Sequence, residues 1–451
     1  MGRVALIGEN SVEYVDKLID IWNNGDCVVL INPQVPVKMC IQMMLEAGVV
    51  KCFVEQKCFE RLKKLDDGLF ELASYESESQ KVRLLPKEIR NKFRSNYSRN
   101  EAIVVYSSGT TGKSKGVILS HYAINTNADA IIGYMNLKEN DCMYIAKSMT
   151  HSSTIVGELL VSLKSGINLV LSPTTVPPRF VFNKISQYAV TVICLNPTLL
   201  RIYALECVRK PYVISSLKRI YVSGSILDDR TYHIAHRLFE GIEIFNVYGL
   251  SEAGPRVTAQ RVDSGKSNSV GKPIANTEIA IVGDDGSSLI SVGDRGIVHV
   301  HTPSLFLGYI TGEEKHKSLY QGWLNTGDVG YMDENGELHI IGRVDDLIII
   351  DAHKIYPDDI ERVILENTEI AECIVVGYTN ARTGVVSLGC VYVSETDLSI
   401  TDNKKLGEIL MPYEIPKCYR RVEELPKNRN GKILRNEVIQ QLLQTRTKNQ
   451  S

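Results

Sequence analysis

The sequence has no run of about eighteen apolar residues and no N-terminal export leader, so nothing in it reads as a membrane span or a secretory signal. Nor is there an excess of one charge. Fifty-one basic residues stand against 53 acidic ones, and the net charge of −2 removes any global electrostatic case for nucleic acid or an anionic membrane. Cysteine occurs ten times but never as CxxC and never at metal-ligand spacing. Cys27, Cys194, Cys373 and Cys390 lie in apolar runs, as reduced core thiols of a cytoplasmic protein do. Met1-Gly2 is no myristoylation start, because position 6 is leucine. Repeats and low-complexity segments are absent. What is present is 44% hydrophobic and 23% charged over 451 residues, a globular composition too long for one ordinary core.

The start alternates strand and helix. Val4–Ile7 reads as a strand, and Asn10 or Ser11 can cap a helix with the apolar face Val12, Val15, Leu18, Ile19 and Trp22. Gly25 ends it, Cys27–Ile31 is the next strand, Pro36 opens a helix through Glu46, and Val49–Val54 follows as a strand. This β-α-β-α-β run predicts a parallel sheet with crossover helices. Residues 56 to 100 are charged and poorly patterned. Further strands are expected at Val117–Leu119, Leu169–Leu171, Val190–Leu195 and Ile220–Val222. From about residue 269, Gly-rich turns such as Asp333-Glu334-Asn335-Gly336 predict antiparallel hairpins. A helix is expected from Pro357, with Asp358 and Asp359 in its first turn, and the tail from Thr445 reads as frayed. The chain is therefore expected to be α/β. A large N-terminal domain over 1–343 would combine parallel, helix-flanked sheets with a β-rich part, and a small α+β domain would follow over 344–451.

The segment Tyr106-Ser107-Ser108-Gly109-Thr110-Thr111-Gly112-Lys113-Ser114-Lys115-Gly116-Val117 packs three glycines, five serines and threonines and two lysines behind an apolar strand. Glycines bring backbone N–H groups close to a ligand, and hydroxyls and lysines add donors and positive charge, which together suit polyphosphate. It is not a Walker A loop: the first glycine of that pattern would fall at Ser107, and Val117-Ile118-Leu119 reads as strand where a helix should start. Four more segments follow. Asn246-Val247-Tyr248-Gly249-Leu250-Ser251-Glu252 ends a strand, where open α/β sheets bind ligands. Asn325-Thr326-Gly327-Asp328 places a carboxylate on a glycine turn, Gly342-Arg343-Val344-Asp345-Asp346 is a charged turn, and Pro426 to Arg435 carries Gly431-Lys432. Taken singly, the first still favours a phosphate loop over a polar hairpin, the second reads as well as a solvated glutamate beside a core tyrosine, and the last three read first as surface turns.

Together and in this order, the five segments resemble the signature of adenylate-forming enzymes: acyl-CoA synthetases, aryl-acid ligases, adenylation domains and luciferases. The resemblance implies ATP-dependent conversion of a carboxylic acid to acyl-AMP with loss of pyrophosphate. Transfer to the thiol of coenzyme A, or of a carrier-protein phosphopantetheine, would follow. ATP would lie on Ser107, Ser108, Gly109, Thr110, Thr111, Gly112 and Lys115, and on Gly224, Ser225, Ile226, Asn246, Tyr248 and Gly249. Asp328 would hold the ribose and Arg343 would touch the nucleotide. Glu252, beside Ser251, would hold Mg²⁺, and Lys432 would stabilise the transition state of adenylation. Asp345 would be the hinge about which the small domain turns. No general base is required, since a carboxylate is already nucleophilic at neutral pH.

Departures from the family pattern are Ser114 where proline is usual, Ser251 for threonine, Ser223-Gly224-Ser225-Ile226-Leu227 on the adenine side, and Ala352 for a glycine near the thiol path. The chain begins inside the family's first strand–helix unit, as in a compact member or a shortened start. His151, Ser152, Ile155 and Val156 are the acyl-pocket candidates. The missing aspartate near Ser153 argues against an α-amino acid and favours a fatty or aryl acid. The leading expectation is a carboxylate–CoA ligase acting on a small-molecule acid. The second is the same adenylation serving a carrier protein, and the third an inactive nucleotide-binding homologue.

Overall fold

A computed structural model describes residues 2–64, 68–108, 114–174, 176–210, 212–225, 227, 229–262, 269–283, 290–312, 319–350, 353–379, 386–427 and 433–448. The predicted opening is there. The strand Arg3–Ile7 leads to the helix Val12–Asn23, which starts where the Ser11 hydroxyl accepts from Tyr14 N–H at 3.0 Å and buries Val12, Val15, Leu18, Ile19 and Trp22. The strand Cys27–Ile31 is buried along its whole length and pairs in parallel with Arg3–Ile7 and with Glu101–Ser108. Such continuous burial is the mark of a central strand covered on both faces.

Residues 56 to 100 hold more structure than their patterning suggested. A helix spans Gln56–Lys63, and Glu71–Tyr75 adds a parallel strand to Val49–Glu55. It is the last strand of its sheet and is mostly exposed or half-buried, so no apolar face marks it.

The second sheet positions the site. Its parallel strands Asn168–Leu171, Cys142–Ile145, Val192–Leu195, Arg219–Ser223 and Glu243–Tyr248 lie side by side. From Glu243–Tyr248 onward the pairing turns antiparallel, through Thr258–Arg261, Ser269–Pro273, Leu338–Arg343, Trp323–Met332, Gly296–His301 and Glu278–Val282. Tyr248 thus ends the last parallel strand. After Arg343 a short turn, Val344–Asp346, leads to two small sheets, Ile348–Ile350 with His353–Ile355, and Glu372–Thr379 with Val386–Val393 and Cys418–Val422. The two apolar clusters of this part draw only on residues from 348 onward. The helix Arg435–Lys448 continues past Thr445, where fraying was expected, and is anchored by buried Val438 and Leu442.

Candidate functional site

Gly224, Ser225, Asn246, Tyr248, Gly249, Asp328 and Arg343, distant in sequence, line one cavity of about 400 Å³, a volume that suits a small ligand. Its other wall comes from the C-terminal part and includes Asp346, Glu372, Lys427 and Arg435.

The centre of the cavity is a three-residue contact. The Tyr248 hydroxyl donates to Asp328 Oδ2 at 2.5 Å, and Arg343 Nη1 lies 3.1 Å from Asp328 Oδ1. Sequence dictates this locally. Asp328 and Arg343 are register partners on adjacent antiparallel strands, so their side chains share a face. Gly327, at φ +71°, makes the bend that Asn325 and Thr326 brace: Asn325 Oδ1 accepts from Gly327 N–H at 2.9 Å, and Thr326 Oγ1 from Asp328 N–H at 3.0 Å. Burial, and then the Asp328 carboxylate, push the Tyr248 phenol well above its ordinary range, so it stays a neutral donor. Gly249 is fixed by contact: a Cβ there would stand 1.8 Å from the Pro255 carbonyl oxygen. The Asn246 amide donates to the Ser269 carbonyl at 2.9 Å and ties the parallel strand to the first hairpin.

Ser251 and Glu252 lie beside this centre in a short turn, Ser251–Ala253. The Ser251 hydroxyl is 2.8 Å from that of Ser152, which starts the helical stretch carrying Ile155 and Val156, both in the main apolar cluster. His151 precedes that stretch as its N-cap residue. A π-helical segment follows, Ile155–Leu160, which periodicity could not announce. Tyr309, which sequence reasoning missed, donates its hydroxyl to Glu252 Oε1 at 2.9 Å, and the Lys115 ammonium sits 5.5 Å from the centre of its ring. One aromatic ring thus joins the phosphate-loop lysine to the candidate metal carboxylate. A single glutamate fits Mg²⁺, which binds through one or two carboxylates with phosphate oxygens completing its shell. Tyr309→Phe is expected to lower kcat/KM about fivefold, the worth of one hydrogen bond, and to raise the Mg²⁺ needed for half-maximal pyrophosphate release. A magnesium titration checks it.

Also missed were Arg201, Glu372 and Lys427, which join the two walls. Arg201 Nη1 donates to the Ala371 carbonyl at 2.7 Å and lies 3.4 Å from Glu372 Oε1, while Lys427 Nζ is 2.5 Å from Glu372 Oε2. Asp345 stands in the turn Val344–Asp346 between the two parts. Ser107 and Ser108 end the strand Glu101–Ser108, which feeds the loop as expected. Gly109, Thr110, Thr111, Gly112, Ile226, Ala352 and Lys432 lie outside the described residues.

A phenol, a carboxylate and a guanidinium thus gather in one cavity where a parallel sheet turns antiparallel. The chain belongs to the AMP-binding enzyme family, whose model matches residues 2–310, and residues 359–432 match the AMP-binding enzyme C-terminal domain. It is an AMP-forming acid–thiol ligase. Among its relatives is the 2-succinylbenzoate–CoA ligase of Bacillus cereus strain AH820, 30% identical over 97% of this chain and 88% of the relative. The enzyme of that name from Bacillus thuringiensis subsp. konkukian is also 30% identical over the same shares. Two solved structures share the fold. The o-succinylbenzoate CoA synthetase MenE of Bacillus subtilis, in complex with the acyl-adenylate OSB-AMP, has a TM-score of 0.82 at 24% identity over 97% of this chain and 88% of that one. ATP-bound MatB of Rhodopseudomonas palustris has a TM-score of 0.85 at 21% identity over 98% and 88%.

Proposed function

We propose that this chain is an aryl-acid–CoA ligase whose substrate is 2-succinylbenzoate. The observation that carries the substrate is the 30% identity, along nearly the whole chain, to ligases of that name. The gathering of Tyr248, Asp328 and Arg343 in one cavity supports a working nucleotide site. In this reading the Tyr248 ring stacks on adenine, Asp328 accepts from the ribose hydroxyls, and Arg343 fixes the carboxylate between itself and the ribose. Glu252, steadied by Tyr309, holds Mg²⁺, which would neutralise phosphate charge as the two anions meet. Lys115 and the glycine loop would bind the departing pyrophosphate, and Lys432 would stabilise the transition state of adenylation, as the family resemblance implies.

Two domains, 1–343 and 344–451, with a hinge near Asp345, accord with the separate apolar clusters after residue 348. A cytoplasmic setting accords with ten cysteines, none of them in a disulfide. Among the described residues no helix is long and apolar enough to cross a membrane.

The test supplies ATP, Mg²⁺, coenzyme A and 2-succinylbenzoate to the purified protein. AMP, pyrophosphate and the CoA thioester are expected. Acid-dependent pyrophosphate without thioester would redirect the acyl group to a carrier protein, and no pyrophosphate with any acid would reject ligase activity.

A further inference from the structure

Against the acyl-side helical stretch lies a buried group of charges that no step above uses. Arg256 is 1% exposed and heads the fully buried side chains by volume. Asn127 fixes its backbone on both sides: the Asn127 amide donates to the Arg256 carbonyl at 2.9 Å, and its oxygen accepts from Arg256 N–H at 3.1 Å. Yet Nε, Nη1 and Nη2 of its guanidinium all lack a hydrogen-bond partner. They face Gly157, where a Cβ would stand 3.0 Å from Nε and 3.1 Å from Nη2.

The next residue, Glu158, is wholly buried, and Lys147 Nζ lies 3.0 Å from its Oε1, an ion pair outside hydrogen-bond geometry. Burial pushes the Glu158 carboxyl up, while Lys147 and then Arg256 draw it back. Lys147 is the cation paired with that carboxylate, and among the described residues no carboxylate lies within ion-pair reach of Arg256; a buried cation without a counter-charge is strongly disfavoured unless an anion meets it. The position says where that anion would come from. Arg256 is four residues beyond Glu252, and Gly157 follows Val156 on the stretch whose first residue, Ser152, bonds Ser251.

We propose that Arg256 is a specificity-determining residue whose guanidinium receives a second carboxylate of the acyl substrate, the one that is not adenylated. The inference rests on the aryl-acid reading above. 2-Succinylbenzoate has two carboxylates, one on the succinyl arm and one on the ring. Adenylation turns one into a mixed anhydride, and the other stays anionic throughout. A planar guanidinium suits it, since its donors match both carboxylate oxygens.

The experiment compares 2-succinylbenzoate with 4-oxo-4-phenylbutanoate, the same skeleton without the ring carboxylate, alongside other aryl dicarboxylates and their monocarboxylate counterparts. Wild type is expected to favour the dicarboxylate about a hundredfold in kcat/KM, and Arg256→Gln to erase most of that preference through KM for the dicarboxylate. The monocarboxylate should lose no more than about threefold, KM for ATP should hold, and Arg256→Lys should recover part of the preference. Equal losses on both acids would mark Arg256 as a counter-charge for Glu158 alone and overturn the proposal. If Arg256→Gln does not fold, Gly157→Ala serves instead: its Cβ presses on the guanidinium while keeping the charge, and should erode the same preference. A wild type that favours another aryl dicarboxylate corrects the substrate but keeps Arg256 under the same test. A wild type that takes only monocarboxylates overturns the assignment.

Discussion

Asp328→Ala is expected to lower kcat/KM for ATP by about 10² to 10³, the worth of two hydrogen bonds to a charged acceptor. The wild-type carboxylate is met from two protein sides, Tyr248 on Oδ2 and Arg343 on Oδ1, so its orientation is set before ligand arrives. The alanine variant loses the proposed ribose acceptor and also frees Arg343 and the Tyr248 ring to move. Asp328→Asn keeps the shape and one acceptor and should cost less. Tyr248→Phe keeps the ring and should lose no more than about tenfold. Steady-state kinetics with ATP varied, beside a thermal melt showing an intact fold, decide it. An unchanged KM for ATP in the alanine variant would remove Asp328 from the nucleotide site.

The contrast between Asp328 and Tyr309 shows what a sequence can and cannot disclose. Asp328, Tyr248 and Arg343 sit in short segments with their own local logic, a strand end or a glycine turn, and stand out once those segments are read together and in order. Tyr309 lies 57 residues from Glu252, in the two-residue strand Gly308–Tyr309, and nothing in its neighbourhood marks it. Arg256 follows a Gly-Pro pair without periodicity, so only burial without a partner singles it out. The same holds for the fold. Helix Val12–Asn23 was legible because apolar spacing and a serine cap agree, and strand Cys27–Ile31 because its burial is continuous. Strand Glu71–Tyr75 was not, because half of an edge strand's environment is water. The helix Arg435–Lys448 outlasts its polar composition because Val438 and Leu442 dock it onto strand Glu372–Thr379, a long-range effect that composition does not carry.

Arg435→Ala is expected to destabilise the part of the chain after Asp346 by about 2–3 kcal/mol, between the worth of an exposed pair and the cost of breaking a fully buried one, because this ionic group is half-buried. Three carboxylates surround this guanidinium: Asp346 at 3.4 Å, Asp358 at 3.5 Å and Glu361 at 3.5 Å. Arg435 Nη1 also donates to the Val375 carbonyl at 2.9 Å, and Glu361 Oε1 accepts from Val375 N–H at 2.8 Å. One side chain therefore pins helix Pro357–Asn367, strand Glu372–Thr379 and helix Arg435–Lys448 together. Burial pushes the Glu361 and Asp358 carboxyls up, and Arg435 is the largest influence pulling them back. A carboxyl whose folded pKa is raised stabilises fully below the ordinary carboxylate range, and that stability is lost as pH rises through the folded value. Without Arg435 both groups move higher still, so the penalty should be smallest near about pH 5 and grow toward about pH 8. Adding Glu361→Gln, which cannot ionise, should recover part of the loss at the higher pH and little at the lower. Denaturant melts of wild type, Arg435→Ala and the double variant across that range measure both slope and rescue. A loss under about 1 kcal/mol, or one flat in pH, would place this cluster among solvent-screened surface pairs.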